Sequence, residues 1–424
     1  MQDFLGTFTG KIIRLALLFR RGGGQALPGL VVERLFPDYV PTMLAQLPGG
    51  VVIITGTNGK TTTTKMVVDI LRANGQKVLT NSTGSNLTRG IASSLAQHAN
   101  WVGQLPYDLA VLEMDEAAVK EIVKLIRPRW ILALNVSRDQ LDRYGEVDTI
   151  ATYIKAAMIR ASEGVVTNAN DPHLVKAVKA VKKPVVYFGA AATLRKYFPS
   201  DYDLAAVSTA VKSREKPLGT DIDVELAGFR ENYVKYKIQG RIYETRLKVS
   251  GQHNYLNGAS ALALTRRLLP EVPAEKLVAQ LAEVELAFGR GEKYRLPSGA
   301  EIELVLVKNP ASFTQALSSY NAQKANLMIA INDNIADGRD VSWLWDVNFE
   351  PLGGQTVFIT SGRRAADMAL RLSYDDIKVS TIEPRLLQAM KLLAKQTGPK
   401  VILATYTAML QLYKLLSKRG QRIL

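Results

Sequence analysis

Short apolar runs that stop abruptly at a small, polar or charged residue recur along this chain, with helical patterns between them. Val51-Val-Ile-Ile-Thr55 runs into Gly56, and Leu109-Ala-Val-Leu112 ends at Glu113. Trp130-Ile-Leu-Ala-Leu134 ends at Asn135, Gly164-Val-Val-Thr167 ends at Asn168, and Lys77–Thr80 and Pro184–Tyr187 are further short runs. Unbroken apolar runs without alternation are the pattern of strands buried on both faces. Helices are predicted over about 61–73, 116–126, 148–162 and 172–181. Strand and helix in alternation predict an α/β fold with a mostly parallel sheet, which places ligands at the carboxyl ends of its strands. Gly56, Glu113, Asn135 and Asn168 are therefore expected on one rim.

The pattern changes between Ala190 and Val249. Shorter segments rich in Tyr, Thr, Val and Gly, such as Tyr233–Ile238, predict antiparallel hairpins attached to the first domain. Gly251-Gln-His253-Asn254-Tyr-Leu-Asn257 then opens an Ala- and Leu-rich helix, and Phe288-Gly-Arg290-Gly reads as a domain boundary. Beyond it, strands at Ile302–Val307, Leu327–Ile331, Thr356–Ile359 and Val401–Ala404 predict a smaller C-terminal α/β domain. The expected division is a helical segment over 1–47, a larger α/β domain over 48–288 with a hairpin insert at 190–249, and a C-terminal domain over 289–424. In the first segment, Lys11–Arg21 is an amphipathic helical pattern with cations on one side. It reads either as packing on its own domain or as lying on a membrane interface.

Composition narrows the chemistry. The 424 residues contain no Cys and three His, so disulfides, thiolate nucleophiles and Cys-based metal sites are excluded. The net charge of +15 asks for an anionic partner: a phosphorylated substrate or an anionic membrane surface, unless it is a basic surface alone. No helix-turn-helix, aromatic RNA-binding signature or basic arm is present, so nucleic acid is not expected. The N-terminus reads without a secretory leader and no apolar run is long enough to span a bilayer, which predicts a cytoplasmic protein.

The clearest chemistry follows the first strand. Gly56-Thr57-Asn58-Gly59-Lys60-Thr61-Thr62 is a Gly-rich turn at the start of a helix, the arrangement that binds phosphate. Lys60 is expected to neutralise the outer phosphates and Thr61 to ligate Mg²⁺. Two residues separate the glycines where the general phosphate-loop pattern has four. Glu113 is placed to hold Mg²⁺ or polarise a nucleophile, or else to cap the next helix with Asp115 and Glu116. In the second domain, Asn332-Asp333-Asn334-Ile-Ala-Asp337-Gly-Arg-Asp340-Val-Ser342-Trp343-Leu-Trp345-Asp346 crowds acidic and aromatic residues into one turn.

Taken in order, the 56–62 loop, Glu113, Asp139-x-x-Asp142-Arg143-x-Gly145, Asn168-Ala-Asn-Asp171-Pro172 and Gly251-x-His253-Asn254-x-x-Asn257 resemble the Mur ligase superfamily, from about residue 48 onward. The resemblance implies activation of a carboxylate by ATP as an acyl phosphate, followed by attack of an amine. It implies that Gly56 to Thr62 bind the phosphates, that Thr61 and Glu113 hold Mg²⁺, that Asn168 and Asp171 contact the nucleoside, and that Arg290 reaches the phosphates. Gln140 stands where the superfamily usually has His, and Lys155 lies near the position of its carbamylated lysine. Val305-Leu-Val-Lys308-Asn309-Pro310 lacks the acidic residue with which peptide-forming members handle an amino acid.

That departure and the 332–346 stretch resemble the MurT family, synthetase subunits of lipid II isoglutaminyl synthase. The resemblance implies amidation of the D-glutamate α-carboxylate of lipid II in peptidoglycan synthesis. Ammonia would come from a GatD-type glutaminase in a heterodimer, whose catalytic triad Asp340 would complete and which the C-terminal domain would contact. A chain without Cys needs that nucleophile from a partner. Many family members carry a four-Cys zinc ribbon; 190–249 has none, so no zinc site is expected. The inner membrane face, where the lipid-linked substrate resides, is an alternative station. Two other readings stay open: a Mur or folylpolyglutamate-type amino-acid ligase, and a non-catalytic nucleotide-binding scaffold.

Overall fold

The computed structural model describes residues 2–19, 27–81, 88–137, 147–198, 221–249, 251–285, 290–321, 325–419 and 421–422. Three helices lead the chain: α1 (Gln2–Phe19), α2 (Leu27–Leu35) and α3 (Tyr39–Ala45). Strands and helices then alternate as β1 (Val51–Thr55), α4 (Lys60–Ala73), β2 (Val78–Thr80), α5 (Thr88–His98), β3 (Leu109–Glu113), α6 (Glu116–Leu125), β4 (Trp130–Ala133), α7 (Val147–Arg160), β5 (Gly164–Asn168), α8 (Pro172–Val178) and β6 (Val185–Ala190). A meander of β7 (Val224–Arg230), β8 (Tyr233–Ile238) and β9 (Arg241–Arg246) precedes α9 (Gln252–Leu268) and α10 (Ala274–Ala282).

The described strands order as β2-β3-β1-β4-β5-β6-β7-β8-β9, parallel through β7 and antiparallel from β7 to β9. The predicted antiparallel hairpins are present, and they are built into the main sheet. β7 pairs in parallel with β6, so the meander continues the main sheet to its far edge. Its strands alternate, as one-sided burial demands: Val234, Tyr236 and Ile238 point into the core while Tyr233, Lys235 and Lys237 are exposed. β1 lies centrally, every residue buried, with β3 on one side and β4 on the other. The chain passes from β1 to β2 on one side and later from β3 across β1 to β4 on the other, and a crevice at the strands' carboxyl ends is the usual result.

A second sheet follows, from β10 (Arg290–Arg295), β11 (Glu301–Leu306), α11 (Pro310–Asn321), β12 (Asn326–Ala330), β13 (Val357–Ser361), α12 (Ala365–Ser373), β14 (Val379–Ile382), α13 (Leu386–Ala394), β15 (Lys400–Ala404), α14 (Tyr406–Arg419) and β16 (Gln421–Arg422). Its order is β14-β13-β12-β15-β11-β10-β16, with β10 antiparallel to both neighbours. Both sheets carry apolar cores on two faces, as buried parallel strands require. The sequence pattern located the four principal strands of this sheet and passed over β10, β14 and β16. These sit towards its edges, where apolar periodicity is weak: β14 reads Val-Ser-Thr-Ile, with alternate residues exposed.

Candidate functional site

The turn after β1 is shaped by two glycines that no other residue could replace without strain. Gly56 has φ +131° and Gly59 has φ +86°, both outside the region open to L side chains. A Cβ at Gly56 would lie 2.9 Å from the Asn135 carbonyl oxygen, and one at Gly59 would collide with the Asn257 side chain. Asn257 is buried on the first turns of α9, so the helix that starts after Gly251 braces the loop from behind.

Asn135, just beyond β4, braces it from the side. The Thr57 amide donates to the Asn135 carbonyl at 3.0 Å, and the Asn58 amide donates to Asn135 Oδ1 at 2.8 Å. Asn135 Nδ2 returns a bond to the Asn58 carbonyl at 3.0 Å, and the Ser137 amide donates to Thr57 Oγ1. Two loop amides expected to face phosphate are therefore spent on Asn135. The first helical bond of α4 runs from the Thr63 amide to the Gly59 carbonyl, so the Thr61 and Thr62 amides precede the ladder at the positive end of the helix. The buried Thr62 hydroxyl has no hydrogen-bond partner among the described residues. Tight glycines, early helical amides and an orphaned hydroxyl fit a phosphate chain.

Lys60 is buried, its ammonium 2.7 Å from the Gly56 carbonyl, 3.3 Å from Glu116 Oε2 and 3.4 Å from Asp115 Oδ1. Burial alone would raise the Glu116 carboxyl, but Lys60, Lys308, its own backbone and Thr57 together hold it below the ordinary glutamate range. Asp115 and Glu116 entered the sequence reading only as helix caps. The signal that could have marked them is their place directly after a strand-end carboxylate.

Glu113 sits at the end of β3, and its Oε1 accepts a hydrogen bond from Thr61 Oγ1 at 2.9 Å. Asn81, just past β2, fixes the strand end: its Nδ2 donates to the Glu113 carbonyl at 2.7 Å and its Oδ1 accepts the Glu113 amide at 2.9 Å. A carboxylate and a hydroxyl in contact at the phosphate loop are hard oxygen donors of the type Mg²⁺ takes, and these two residues fit it.

Asn168 and Asp171 are buried at the carboxyl end of β5. Asn168 Nδ2 donates to the Leu134 carbonyl and its Oδ1 accepts the Asn170 amide. Asp171 caps α8 through the Leu174 amide and accepts the Val136 amide at 2.7 Å. These bonds tie the β5 rim to the segment after β4. Residues 139–146, including Asp139, Gln140, Asp142, Arg143 and Gly145, lie outside the described residues, as does the side chain of Arg290 at the head of β10. Lys155 is exposed on α7.

The second domain reaches the loop directly. Lys308 Nζ donates to the Thr57 carbonyl at 2.8 Å, and Asn309 Nδ2 donates to Asn58 Oδ1 at 3.0 Å. The sequence reading noted Lys308-Asn309-Pro310 as a departure without placing it against the loop, because nothing local reports a contact between positions 251 residues apart.

The 332–346 stretch separates its acids. Asp333 pairs with Arg363 and Arg364. Asp337 is buried and accepts the Thr407 amide at 2.7 Å, which ties the turn to the start of α14. Asp340 is half-buried, and hydrogen bonds from Ser342, chiefly its side chain and then its amide, hold its carboxyl below the ordinary range. Trp343 packs into the core against Phe313, whereas Trp345 is exposed, edge-on to Tyr374. Of Asp333, Asp337 and Asp340, the last is the one whose described bonds stay within its own turn.

Comparison with known proteins gives the family and the fold. The Mur ligase middle domain matches residues 54–265, and the MurT ligase C-terminal domain matches residues 306–409. The lipid II isoglutaminyl synthase (glutamine-hydrolyzing) subunit MurT of Streptococcus pneumoniae is 31% identical, covering 99% of this chain and 98% of the relative. Its counterpart from Staphylococcus aureus is 27% identical over the same shares. Among solved structures, MurF from Acinetobacter baumannii superposes with a TM-score of 0.68 at 19% identity, over 90% of this chain and 78% of that one. MurF ligase from Thermotoga maritima in complex with ADP gives 0.67 at 18% identity, over 91% and 84%.

Proposed function

Because this chain belongs to the Mur ligases and, within them, to the MurT family, we propose that it is the ATP-dependent synthetase subunit of a lipid II isoglutaminyl synthase. The observation that carries the reading is the 31% identity, over nearly the whole chain, to a subunit of that enzyme. Its substrate is the D-glutamate α-carboxylate of lipid II, and the product is the amide, D-isoglutamine.

In this reading a carboxylate oxygen attacks the γ-phosphorus of ATP and ADP leaves, giving an acyl phosphate. The nitrogen of ammonia then attacks the carbonyl carbon, phosphate departs with the bonding pair, and the nitrogen loses a proton. Lys60, the early amides of α4 and Lys308 balance the phosphate charge, which is where most of the rate arises in phosphoryl transfer. Thr61 and Glu113 would hold Mg²⁺, whose chemistry there is neutralisation of phosphate oxygens. Asn168, Asp171 and Arg290 are assigned to the nucleotide on the family pattern. Residues 289–424 form the domain that meets the partner. A GatD-type glutaminase supplies ammonia, and Asp340 orients its catalytic histidine.

The test is to purify the chain with a GatD-type glutaminase and incubate both with lipid II, ATP and glutamine. A product about one mass unit lighter, carboxylate to amide, supports the reading. Addition of an amino-acid residue, or no turnover with glutamine or ammonia, would overturn it.

A further inference from the structure

Helix α1 is built inside out. Among its described side chains, the buried face consists of small residues: Gly6 lies against the Tyr39 ring, Gly10 against Ala96 and Val32, and Thr7 Oγ1 is 2.8 Å from the Tyr39 hydroxyl. A Cβ at Gly10 would sit 2.6 Å from that of Ala96, so the small face cannot be exchanged for a bulkier one. The large apolar residues Phe4, Leu5, Phe8, Ile12 and Leu15 are instead 42–46% exposed. A helix in water turns its apolar stripe inward, so a stripe turned outward on a well-seated helix marks a contact surface.

The stripe continues onto the turn after α5, where Trp101 is 54% and Val102 61% exposed. The Phe8 ring meets Trp101 edge-on at 6.4 Å, and the Lys11 ammonium lies over the Trp101 ring at 5.1 Å. α1 carries two cations, Lys11 and Arg14, against one acid, Asp3. No described helix is long and apolar enough to cross a membrane. Apolar residues flanked by cations, with a Trp at their border, form the surface that settles at the headgroup boundary of anionic lipid.

We propose that this face of α1, with Trp101 and Val102, docks the enzyme in-plane on anionic membrane lipid. The inference gains its purpose from the lipid-linked substrate proposed above, but it is read on vesicles that contain none of that substrate, so either can fail alone.

The test is co-sedimentation of the full chain with vesicles of phosphatidylglycerol and phosphatidylcholine, and with phosphatidylcholine alone. Binding to the anionic vesicles is expected, weakened by salt. The double variant Phe8→Glu/Ile12→Glu should bind about tenfold or more weakly with an unchanged melting temperature. Lys11→Gln/Arg14→Gln, which keeps the apolar face, should bind weakly and lose its salt sensitivity. Three results would overturn the proposal: a wild type that ignores anionic vesicles, a glutamate variant that binds like wild type, or a dimer in sedimentation equilibrium that the same glutamates dissolve without any vesicle binding.

Discussion

The ammonium of Lys308 lies 2.8 Å from the carbonyl oxygen of Thr57, so the second sheet places a cation on the turn that follows the central strand of the first. In the function proposed above, that bond couples domain position to phosphate binding. Lys308→Met is expected to lower kcat/KM for ATP by about 10- to 100-fold, a loss on the order of 1.4–2.7 kcal/mol of transition-state stabilisation. Small-angle scattering should show a larger radius of gyration, since a tie between domains is cut. A variant with wild-type kinetics and shape would refute this coupling.

Thr61 and Glu113 share a hydrogen bond that a metal ion would replace with two coordination bonds. Thr61→Val and Glu113→Gln should each move the Mg²⁺ dependence of ATP hydrolysis to higher concentration, by about tenfold or more. A Mg²⁺ titration that superimposes on wild type would remove these residues from the metal site.

Gly59 faces two separate obstacles, its positive φ and the Asn257 side chain. Gly59→Ala should cost about 1–3 kcal/mol in thermal unfolding and abolish detectable nucleotide binding. Adding Asn257→Ala relieves the collision but not the backbone, so the double variant should recover only part of the stability. Full recovery would show that φ strain contributes nothing there.

Glu116 supplies a pH signature. Its folded carboxyl titrates below the ordinary value of 4.5, despite the burial that opposes this, because Lys60 and then Lys308 favour the charged form. A depressed carboxylate contributes stability that is complete above its unfolded pKa and lost as pH falls through the folded one. The melting-temperature gap between wild type and Glu116→Gln should therefore be full at neutral pH and narrow below pH 4.5. A gap that is constant from pH 7 to about pH 3 would mean the charge is not what Glu116 contributes.

Asp340→Asn separates the two halves of the proposed reaction. Glutamine-driven amidation should fall by about 10²-fold or more, while amidation from added ammonium stays near wild type. Loss of both would place Asp340 in the synthetase site instead.

Much of the central fold was legible because its strands are buried on both faces. Val51–Thr55 and Leu109–Glu113 are apolar runs whose ends are also the ends of observed strands, so Gly56 and Glu113 could be placed on one rim from spacing alone. The Thr61–Glu113 contact follows from that placement. What periodicity could not report was long-range pairing: Asn135 clamping Thr57 and Asn58, Asn257 behind Gly59, and Lys308 over the loop. The N-terminal helix shows the same boundary. Its cationic stretch predicted a helix from Lys11, but α1 begins at Gln2, and which face is buried depended on where the ring of Tyr39 lies.

The far edge of the first sheet governs how these molecules behave among their own kind. An open sheet can recruit another chain through unpaired backbone on its outer strands. Among the described strands one edge is β2, only three residues long, and the other is β9, which exposes Arg241, Glu244 and Arg246 to water along with Ile242. Residues 221–249, which lengthen the sheet without a metal-binding cysteine, thus also end it in charge. Charge at one edge and brevity at the other disfavour edge-to-edge pairing between copies of this chain.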